Sequence, residues 1–191
     1  MRCYACSKPS FQIICKDCRE KLFKPQIHTR KIGTLDVISF YPYTAIASLL
    51  HTKHKPEGYR IYKSLAKMTM QPFIREFAES LESDLYILGV DEYVGSGYSH
   101  TALLAHAMRT QKTKVLHGKL LAKNRVSYSG KDLQFRLNHP RDFRYSGKSG
   151  IDVILVDDTI TTGITLQEAQ GVLLQHGVNV LFALTLADAK E

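Results

Sequence analysis

Two adjacent acids and a hydroxyl-rich loop form the stretch of this chain that could do chemistry. Asp157 and Asp158 are followed by four threonines and one glycine, in the order Thr159, Ile160, Thr161, Thr162, Gly163, Ile164, Thr165. A loop that leads into a helix presents unpaired backbone N–H groups and the positive end of the helix dipole, and hydroxyl groups add further donors. The stretch therefore predicts a phosphate site, in which Gly163 permits a sharp backbone bend.

The acidic pair predicts that the ligand carries more than a phosphate. Two carboxylates would repel a phosphate, so we expect them to bind another part of the same ligand. Sugar hydroxyls, contacted directly or through Mg²⁺, are natural partners of carboxylates. A ligand with a phosphate, a vicinal diol and a magnesium-binding tail is phosphoribosyl pyrophosphate (PRPP).

The residues on either side of this stretch predict the elements that position it. Residues 153–156 are a continuous aliphatic run, which is typical of a strand buried on both faces of a parallel sheet. Residues 166–176 follow helical spacing, with Gly177 as the stop signal. An ordinary buried strand with a polar turn and a capped helix is the alternative interpretation.

The stretch from Val153 to Thr165 resembles the PRPP-binding loop of type I phosphoribosyltransferases: four hydrophobic residues, two acids, then T-x-T-T-G-x-T. The resemblance implies that Asp157 and Asp158 hold the ribose hydroxyls, with Mg²⁺ bound directly or indirectly, and that the loop holds the terminal phosphate of the sugar. It assigns the loop contacts to Thr159, Ile160, Thr161, Thr162, Gly163 and Thr165. It also implies that the pyrophosphate lies against an earlier strand-to-helix loop, where the candidates are backbone amides from Asp91 to Tyr93.

All four cysteines lie in the first 18 residues, as two Cys-x-x-Cys pairs separated by eight residues. This spacing predicts a tetrahedral Zn²⁺ site built from Cys3, Cys6, Cys15 and Cys18. Four thiolates fill the coordination shell, so the zinc is expected to be structural, and it would supply most of the folding energy of so short a segment. Two disulfides are the alternative, which a reducing cytosol disfavours.

The net charge of +8 is unevenly distributed along the 191 residues. Residues 1–35 carry a net charge of +6 and residues 108–148 a net charge of +9, whereas residues 149–191 carry −5. Segregated charge of this kind favours a polyanionic partner, and a merely solvated basic face is the alternative. No run approaches the length of a membrane span and no apolar leader precedes the first cysteine, so we expect a soluble cytoplasmic protein.

The remaining periodicities predict alternating strands and helices after a linker at 25–33. We expect strands at 35–43, 84–90, 115–116 and 180–186, and helices at 44–50, 59–70, 73–81 and 99–109. Ser99 is the expected cap of the last of these helices, and Pro72 is expected to end the 59–70 helix and to begin the next one, at 73–81. Beyond about Gly118 the periodicity fades.

The segment 108–148 interleaves cations with aromatic residues, which is typical of a surface that binds single-stranded nucleic acid. The candidate contacts are Lys119, Lys123, Arg125, Lys131 and Arg136. The same cations would serve as a flexible hood that closes on a pyrophosphate. A mobile loop without a ligand is the third interpretation.

A four-cysteine knuckle joined to a PRPP-loop domain is similar to the ComF-type proteins, bacterial competence factors with a phosphoribosyltransferase fold. Further similarities cover most of the chain: Gly97-Tyr98-Ser99-His100 leading into a helix, Arg136, Asn138 and Phe143 ahead of the PRPP loop, and the turn from Lys53 to Gly58. The chain departs from the family at Gly89-Val90-Asp91, where the family has Pro-Val-Pro. It departs again where the family's Arg, Asn and Gln are Ser96, Ser99 and His100.

The sequence thus predicts an α/β fold with a parallel sheet, divided into a zinc-binding module with linker at 1–33 and a phosphoribosyltransferase-like domain at 34–191. The resemblance implies a cytoplasmic protein of natural transformation, with the inner face of the membrane as a further location. It would bind PRPP with Mg²⁺ and act on incoming single-stranded DNA together with translocation and recombination proteins. The alternatives are a non-catalytic DNA-binding and partner-docking module with a vestigial PRPP pocket, and a nucleobase salvage enzyme. Whether the chain is an enzyme stays open at this point.

Overall fold

A computed structural model describes residues 1–91, 97–124, 126, 128, 130 and 133–190. Its main sheet has six strands in the order β1-β2-β8-β7-β3-β4, and every pair is parallel except β1 with β2. The strands are β1 (His28–Ile32), β2 (Leu35–Pro42), β3 (Leu85–Gly89), β4 (Thr113–Val115), β7 (Asp152–Ile160) and β8 (Asn179–Asp188). The predicted α/β class with a mostly parallel sheet is confirmed.

Helices cover both faces of this sheet. The helices that the structure describes are α1 (Lys16–Lys21), α2 (Tyr43–Leu50), α3 (Gly58–Met68), α4 (Met70–Glu79), α5 (His100–Ala107), α6 (Leu133–Asn138) and α7 (Ile164–Gln175). A second, two-stranded sheet pairs β5 (Leu120–Ala122) with β6 (Phe143–Tyr145) in antiparallel fashion. In the part of the chain that the structure describes, no helix is long and apolar enough to cross a bilayer.

The central strand β7 explains why its sequence shows no alternation. Ile154 and Val156 belong to a core that includes α3 and α5, whereas Val153 and Leu155 belong to a second core that includes α7. Successive side chains of a strand point to opposite faces, so a strand covered on both faces is apolar throughout. All four side chains are fully buried.

The predicted linker at 25–33 is wrong, because its second half forms β1, the antiparallel edge strand of the main sheet. Its side chains alternate between half-buried and exposed, as expected of an edge strand with few apolar residues. Arg30 explains the placement of β1: its guanidinium lies 3.1 Å from the carboxylate of Asp188, which is only 1% exposed at the end of β8. The same side chain donates to the carbonyl of Thr161 at 2.7 Å.

Two other local predictions need correction. The break between α3 and α4 falls at Thr69, so Pro72 lies in the first turn of α4, where a missing N–H is tolerated. The segment beyond Gly118 contains β5, α6 and β6, whose three to six residues are too few to show a period. The predicted cap at Ser99 is confirmed, since its side chain accepts a hydrogen bond from the backbone N–H of Ala102 at 3.1 Å.

Candidate functional site

The acidic pair lies on β7 itself and not in the loop after it. Pairing with β8 continues through Asp157, Thr159 and Ile160, whereas pairing with β3 stops at Val156. Strand β7 therefore extends past the end of its neighbour β3, and the carboxylates lie beside open space at that edge of the sheet. A cavity of about 650 Å³ occupies this space. Its volume is in the range of small-molecule sites, and it lies at the carboxyl ends of the strands, where α/β folds bind ligands.

Asp158 is surrounded by three side chains from separate elements. Its Oδ2 accepts a hydrogen bond from Lys53 Nζ at 3.3 Å and one from the hydroxyl of Tyr62 at 3.2 Å. The Nε2 of His100 lies 3.6 Å from the same oxygen. Burial alone would raise the pKa of the Asp158 carboxyl, but the influence of His100 and Lys53 outweighs it, and the pKa is lowered. Asp158 is therefore ionised at neutral pH.

Asp157 has the opposite electrostatic environment. Its Oδ1 accepts a hydrogen bond from the backbone N–H of Asp158 at 2.8 Å. Burial, together with the neighbouring charge of Asp158, raises the pKa of Asp157 to about 8. The pair thus carries close to one negative charge at neutral pH, which limits its repulsion of an anionic ligand.

The loop of residues 161–163, here called the threonine loop, connects β7 to α7. Gly163 precedes the helix with a φ of +85°, a left-handed conformation that favours glycine. A Cβ on Gly163 would lie 2.6 Å from the side chain of Ile32, so there is no room for a larger residue. Gly163 has no side chain that could cap the helix, and the backbone N–H of Ile164 donates to the hydroxyl of Thr162 at 3.5 Å.

Two arginines from the 133–145 region reach into the same cavity. Arg136 donates to the hydroxyl of Thr161 and, at 2.9 Å, to the carbonyl of Tyr128. Arg141 pairs with Asp91 at 2.9 Å, and its guanidinium lies 4.8 Å from the centre of the Tyr128 ring. With Lys53, three cations therefore surround the acidic pair and the threonine loop.

The predicted ligand-binding residues fall into four groups, one of which is Thr162 and Gly163, which belong to the threonine loop but are not among the residues that line the cavity. Those that line the cavity are Asp91, Asp157, Asp158, Thr159, Thr161 and Thr165. Ile160 is 2% exposed, its side chain belongs to the core, and its carbonyl accepts a hydrogen bond from the backbone N–H of Ala189 at 2.9 Å. Tyr93 lies outside the described residues.

Three of the five residues that we predicted for nucleic acid lie in the described part of the chain. Arg136 lines the cavity, and Lys119 is half-buried. Lys123 is exposed and pairs with Asp142 at 3.0 Å. Arg125 and Lys131 lie outside the described residues. The basic segment thus contributes part of its charge to the cavity.

Sequence reasoning missed four site residues: Lys53, Tyr62, His100 and Arg141. The turn from Lys53 to Gly58 gave a signal for Lys53, and the stretch from Gly97 to His100 gave one for His100. A Cβ on Gly58 would lie 2.0 Å from the carbonyl oxygen of Thr52 and 2.3 Å from the hydroxyl of Tyr98. The glycine therefore permits the tight turn between α2 and α3 that holds Lys53 beside Asp158.

The four N-terminal cysteines form a second candidate site, a metal centre. Their sulfur atoms all lie within 4.8 Å of one another, with Cys3 to Cys18 at 3.9 Å and Cys6 to Cys15 at 3.7 Å. A regular tetrahedron with Zn–S bonds of about 2.3 Å has sulfur atoms about 3.8 Å apart. Burial opposes ionisation of Cys3, but backbone hydrogen bonds, first that from Cys15, lower its pKa to about 6. The cluster fits structural zinc.

A second set of potential metal ligands lies in the cavity. The ligand atoms of His100, Asp157 and Asp158 lie within 4.8 Å of one another. Carboxylate oxygens are the donors that Mg²⁺ prefers. Lys53 already contacts one oxygen of Asp158, so the acidic pair is only partly free for a cation.

The described site can be set beside known proteins. No protein-family model matches the sequence, and no curated protein matches it either. Among solved structures, the chain is similar to an adenine phosphoribosyltransferase, with 16% identity, coverage of 90% of this chain and 88% of that chain, and a TM-score of 0.44. It is similar to hypoxanthine phosphoribosyltransferase from Staphylococcus aureus, with 19% identity, coverage of 73% and 70%, and a TM-score of 0.41. For Mycobacterium tuberculosis orotate phosphoribosyltransferase the identity is 14%, the coverage 90% and 82%, and the TM-score 0.39.

Proposed function

We propose that this chain binds PRPP together with Mg²⁺ in the cavity at the end of β7. The observation that carries the proposal is the convergence of three kinds of group in one space of about 650 Å³. An acidic pair, a hydroxyl-rich loop at a helix N-terminus, and the cations Lys53, Arg136 and Arg141 come from separate parts of the chain. A plain structural turn would need none of the cations.

Each kind of group suits one part of PRPP. The threonine loop, the N–H groups at the start of α7 and Arg136 suit the 5-phosphate. The carboxylates of Asp157 and Asp158 suit the ribose hydroxyls. The same two carboxylates would hold Mg²⁺, which when bound supplies positive charge to the pyrophosphate.

Calorimetry tests this proposal. The wild type should bind PRPP in the presence of Mg²⁺, and the Asp157→Asn/Asp158→Asn double variant should bind at least tenfold more weakly, because lost hydrogen bonds to a charged group cost about 1.5–3 kcal/mol. Asp152→Asn is the matched control, since Asp152 begins the same strand and its carboxylate accepts a hydrogen bond from the exposed side chain of Asn179. Equal, weak heats for the wild type and the double variant would contradict the proposal.

We extend the proposal to a role in natural transformation, in which the chain handles incoming single-stranded DNA in the cytoplasm or at the inner face of the membrane. Its partners would be the translocation and recombination proteins of the competence system. The resemblance to ComF-type proteins supports this role, and so does the net charge of +8. Phe11 also supports it: the ring is fully exposed on a basic module, where a base could stack. Salvage of a nucleobase would leave that module without a role.

Two measurements test the extension. Binding of single-stranded oligonucleotides should weaken with rising salt, and charge reversal at Lys119 and Lys123 should weaken it further. Unchanged affinity in the reversed variant would remove those lysines from the interface. Release of pyrophosphate in a mixture of PRPP and single-stranded DNA would make the protein an enzyme, whereas binding without release favours a non-catalytic module.

A further inference from the structure

Glu168, one turn into α7, binds the turn that leads into β6. Its two carboxylate oxygens accept hydrogen bonds from consecutive backbone amides, Arg141 N at 3.1 Å and Asp142 N at 2.6 Å. Hydrogen bonds to an ionised carboxylate are about twice as strong as neutral ones. Asp142 has a φ of +51°, a conformation that costs a non-glycine residue energy and persists only where its surroundings impose it.

The turn held by Glu168 carries the side chain of Arg141 into the cavity. There the guanidinium pairs with Asp91 at 2.9 Å, and Asp91 also accepts a hydrogen bond from the backbone N–H of Ala122 at 3.0 Å. Arg141 and Asp91 line the same cavity as the acidic pair. Arg141 therefore presents its charge to the space that Asp157 and Asp158 also face.

One donor of Arg141 has capacity left for a ligand. Its Nε is buried yet has no hydrogen-bond partner among the residues that the structure describes. A buried N–H without a partner destabilises the structure, and an incoming anion would supply the missing acceptor. Arg141 lies on the Asp91 side of the cavity, whereas Arg136 contacts the threonine loop.

We propose that Glu168 is a positioning residue that aims Arg141 at the pyrophosphate end of the ligand. The inference rests on the proposed function, since it assigns the two ends of PRPP to two different arginines. Arg136 serves the 5-phosphate end, and Arg141, held by Glu168, serves the pyrophosphate end. Because Glu168 belongs to the helix that begins at the threonine loop, it fixes the second anion site relative to the first.

Calorimetry with three separate ligands tests the inference. The probes are PRPP, inorganic pyrophosphate with Mg²⁺, and ribose 5-phosphate, each titrated into the full chain. Glu168→Gln keeps the size of the side chain but replaces one acceptor oxygen with a donor. It should weaken pyrophosphate and PRPP roughly tenfold, and it should leave ribose 5-phosphate unchanged. Glu79→Gln on the exposed face of α4 makes the same change of charge far from the site and should alter nothing.

A double-mutant cycle shows whether Glu168 acts through Arg141. Arg141→Gln should produce the same selective loss, and the combined variant should be no weaker than Arg141→Gln alone. Glu168→Asp, which keeps the charge on a shorter side chain, should recover part of the affinity. Thermal melting identifies variants that have lost the fold. If Glu168→Gln does not fold, the binding of the three probes by Glu168→Asp is compared with that by the wild type.

The outcomes separate this inference from the function on which it rests. If the wild type binds none of the three probes, the proposed function fails and the inference fails with it. If the wild type binds them but Glu168→Gln weakens ribose 5-phosphate as much as pyrophosphate, the role is merely structural and only the inference is overturned. Additive losses in the double variant would overturn it as well.

Discussion

At the scale of single residues, the two carboxyl groups of the acidic pair have pKa values shifted in opposite directions. Asp158 has a lowered pKa because a lysine, a histidine and a tyrosine surround it, which outweighs its burial. Asp157 has a pKa raised to about 8 by burial and by the charge of Asp158. The pair therefore accepts and releases protons as two distinct groups, and substitutions at the two positions should have opposite pH dependences.

We predict that Asp157→Asn becomes more stable relative to the wild type as the pH rises. An unfolded aspartate titrates near pH 4, whereas the folded Asp157 keeps its proton to about pH 8. Between these values the unfolded wild type binds fewer protons than the folded one, so its free energy of unfolding falls with pH, by at most about 1.4 kcal/mol per pH unit. Asp157→Asn has no carboxyl group at this position, so its free energy of unfolding does not fall with pH in this way. Urea denaturation at pH 5, 6.5 and 8 measures the difference.

Asp158→Asn provides the matched comparison at the adjacent position. Because the pKa of Asp158 is lowered in the folded protein, its carboxylate stabilises the fold at pH values above the pKa of an unfolded aspartate. This stabilisation is lost only as the pH falls through the pKa of Asp158 in the folded state. Asp158→Asn should therefore be destabilised, by about 1–3 kcal/mol at pH 7, and the deficit should shrink in acid. Parallel, pH-independent differences for the two variants would contradict this assignment of charge.

At the scale of elements, the start of α7 depends on a contact with the edge strand β1. The backbone of Gly163 passes close to Ile32, and Arg30 on the same strand donates to the carbonyl of Thr161. The threonine loop is thus supported from behind by a strand that is far from it in sequence. This support fixes where the helix begins relative to the end of β7.

We predict that Gly163→Ala disrupts this arrangement. The new methyl group would lie 2.6 Å from Ile32, and the φ of +85° disfavours alanine, so the variant should lose about 1–3 kcal/mol of unfolding free energy and bind PRPP more weakly. Gly171→Ala is the control within the same helix. Its Cβ would meet no atom within 4 Å, so this variant should gain up to about 1 kcal/mol. Thermal melting and calorimetry measure both, and equal effects at the two glycines would contradict the prediction.

At the scale of the whole molecule, the cysteine cluster shares its core with the main sheet. Cys3, Ile14, Cys18 and Phe23 belong to the same buried cluster as Phe40 on β2. The hydroxyl of Tyr41 also donates to the carbonyl of Phe23 at 2.9 Å. The division of the chain at residue 33 stays a prediction, and these contacts indicate that the two parts are coupled in stability.

We predict that removal of zinc destabilises the entire chain in one transition. Zinc–thiolate bonds would supply most of the folding energy of the N-terminal segment, which covers part of the main core. Treatment with a chelator should therefore lower the Tm by roughly 5–10 °C. Cys18→Ser, which removes one ligand, should show a low Tm that the chelator does not change further. Two separate melting transitions, with the larger one unaffected by the chelator, would show instead that the segment folds independently.

Long apolar runs were the most predictable part of the fold. Strands β3, β7 and β8 follow from their apolar runs, because a strand buried on both faces is largely apolar, and β2 follows from its β-branched and aromatic residues. The spacing of the four cysteines likewise predicts that they lie close together. The two cysteines of each pair are near each other in sequence, and a short loop joins the two pairs, so that all four thiols can reach one metal ion. Strand β1 and the strands β5 and β6 were missed, because edge or three-residue strands carry too few buried positions to show a pattern.

The sequence by itself determined the groups that come from one continuous stretch: the strand, the acidic pair, the threonine loop and the helix that follows it. Only the tertiary structure decided which distant residues meet them. Lys53 comes from the turn between α2 and α3, His100 from the start of α5, and Arg141 from a turn that Glu168 holds. A local pattern records the period of a helix or strand, whereas contacts between residues 50 to 105 positions apart depend on how the sheet orders its strands.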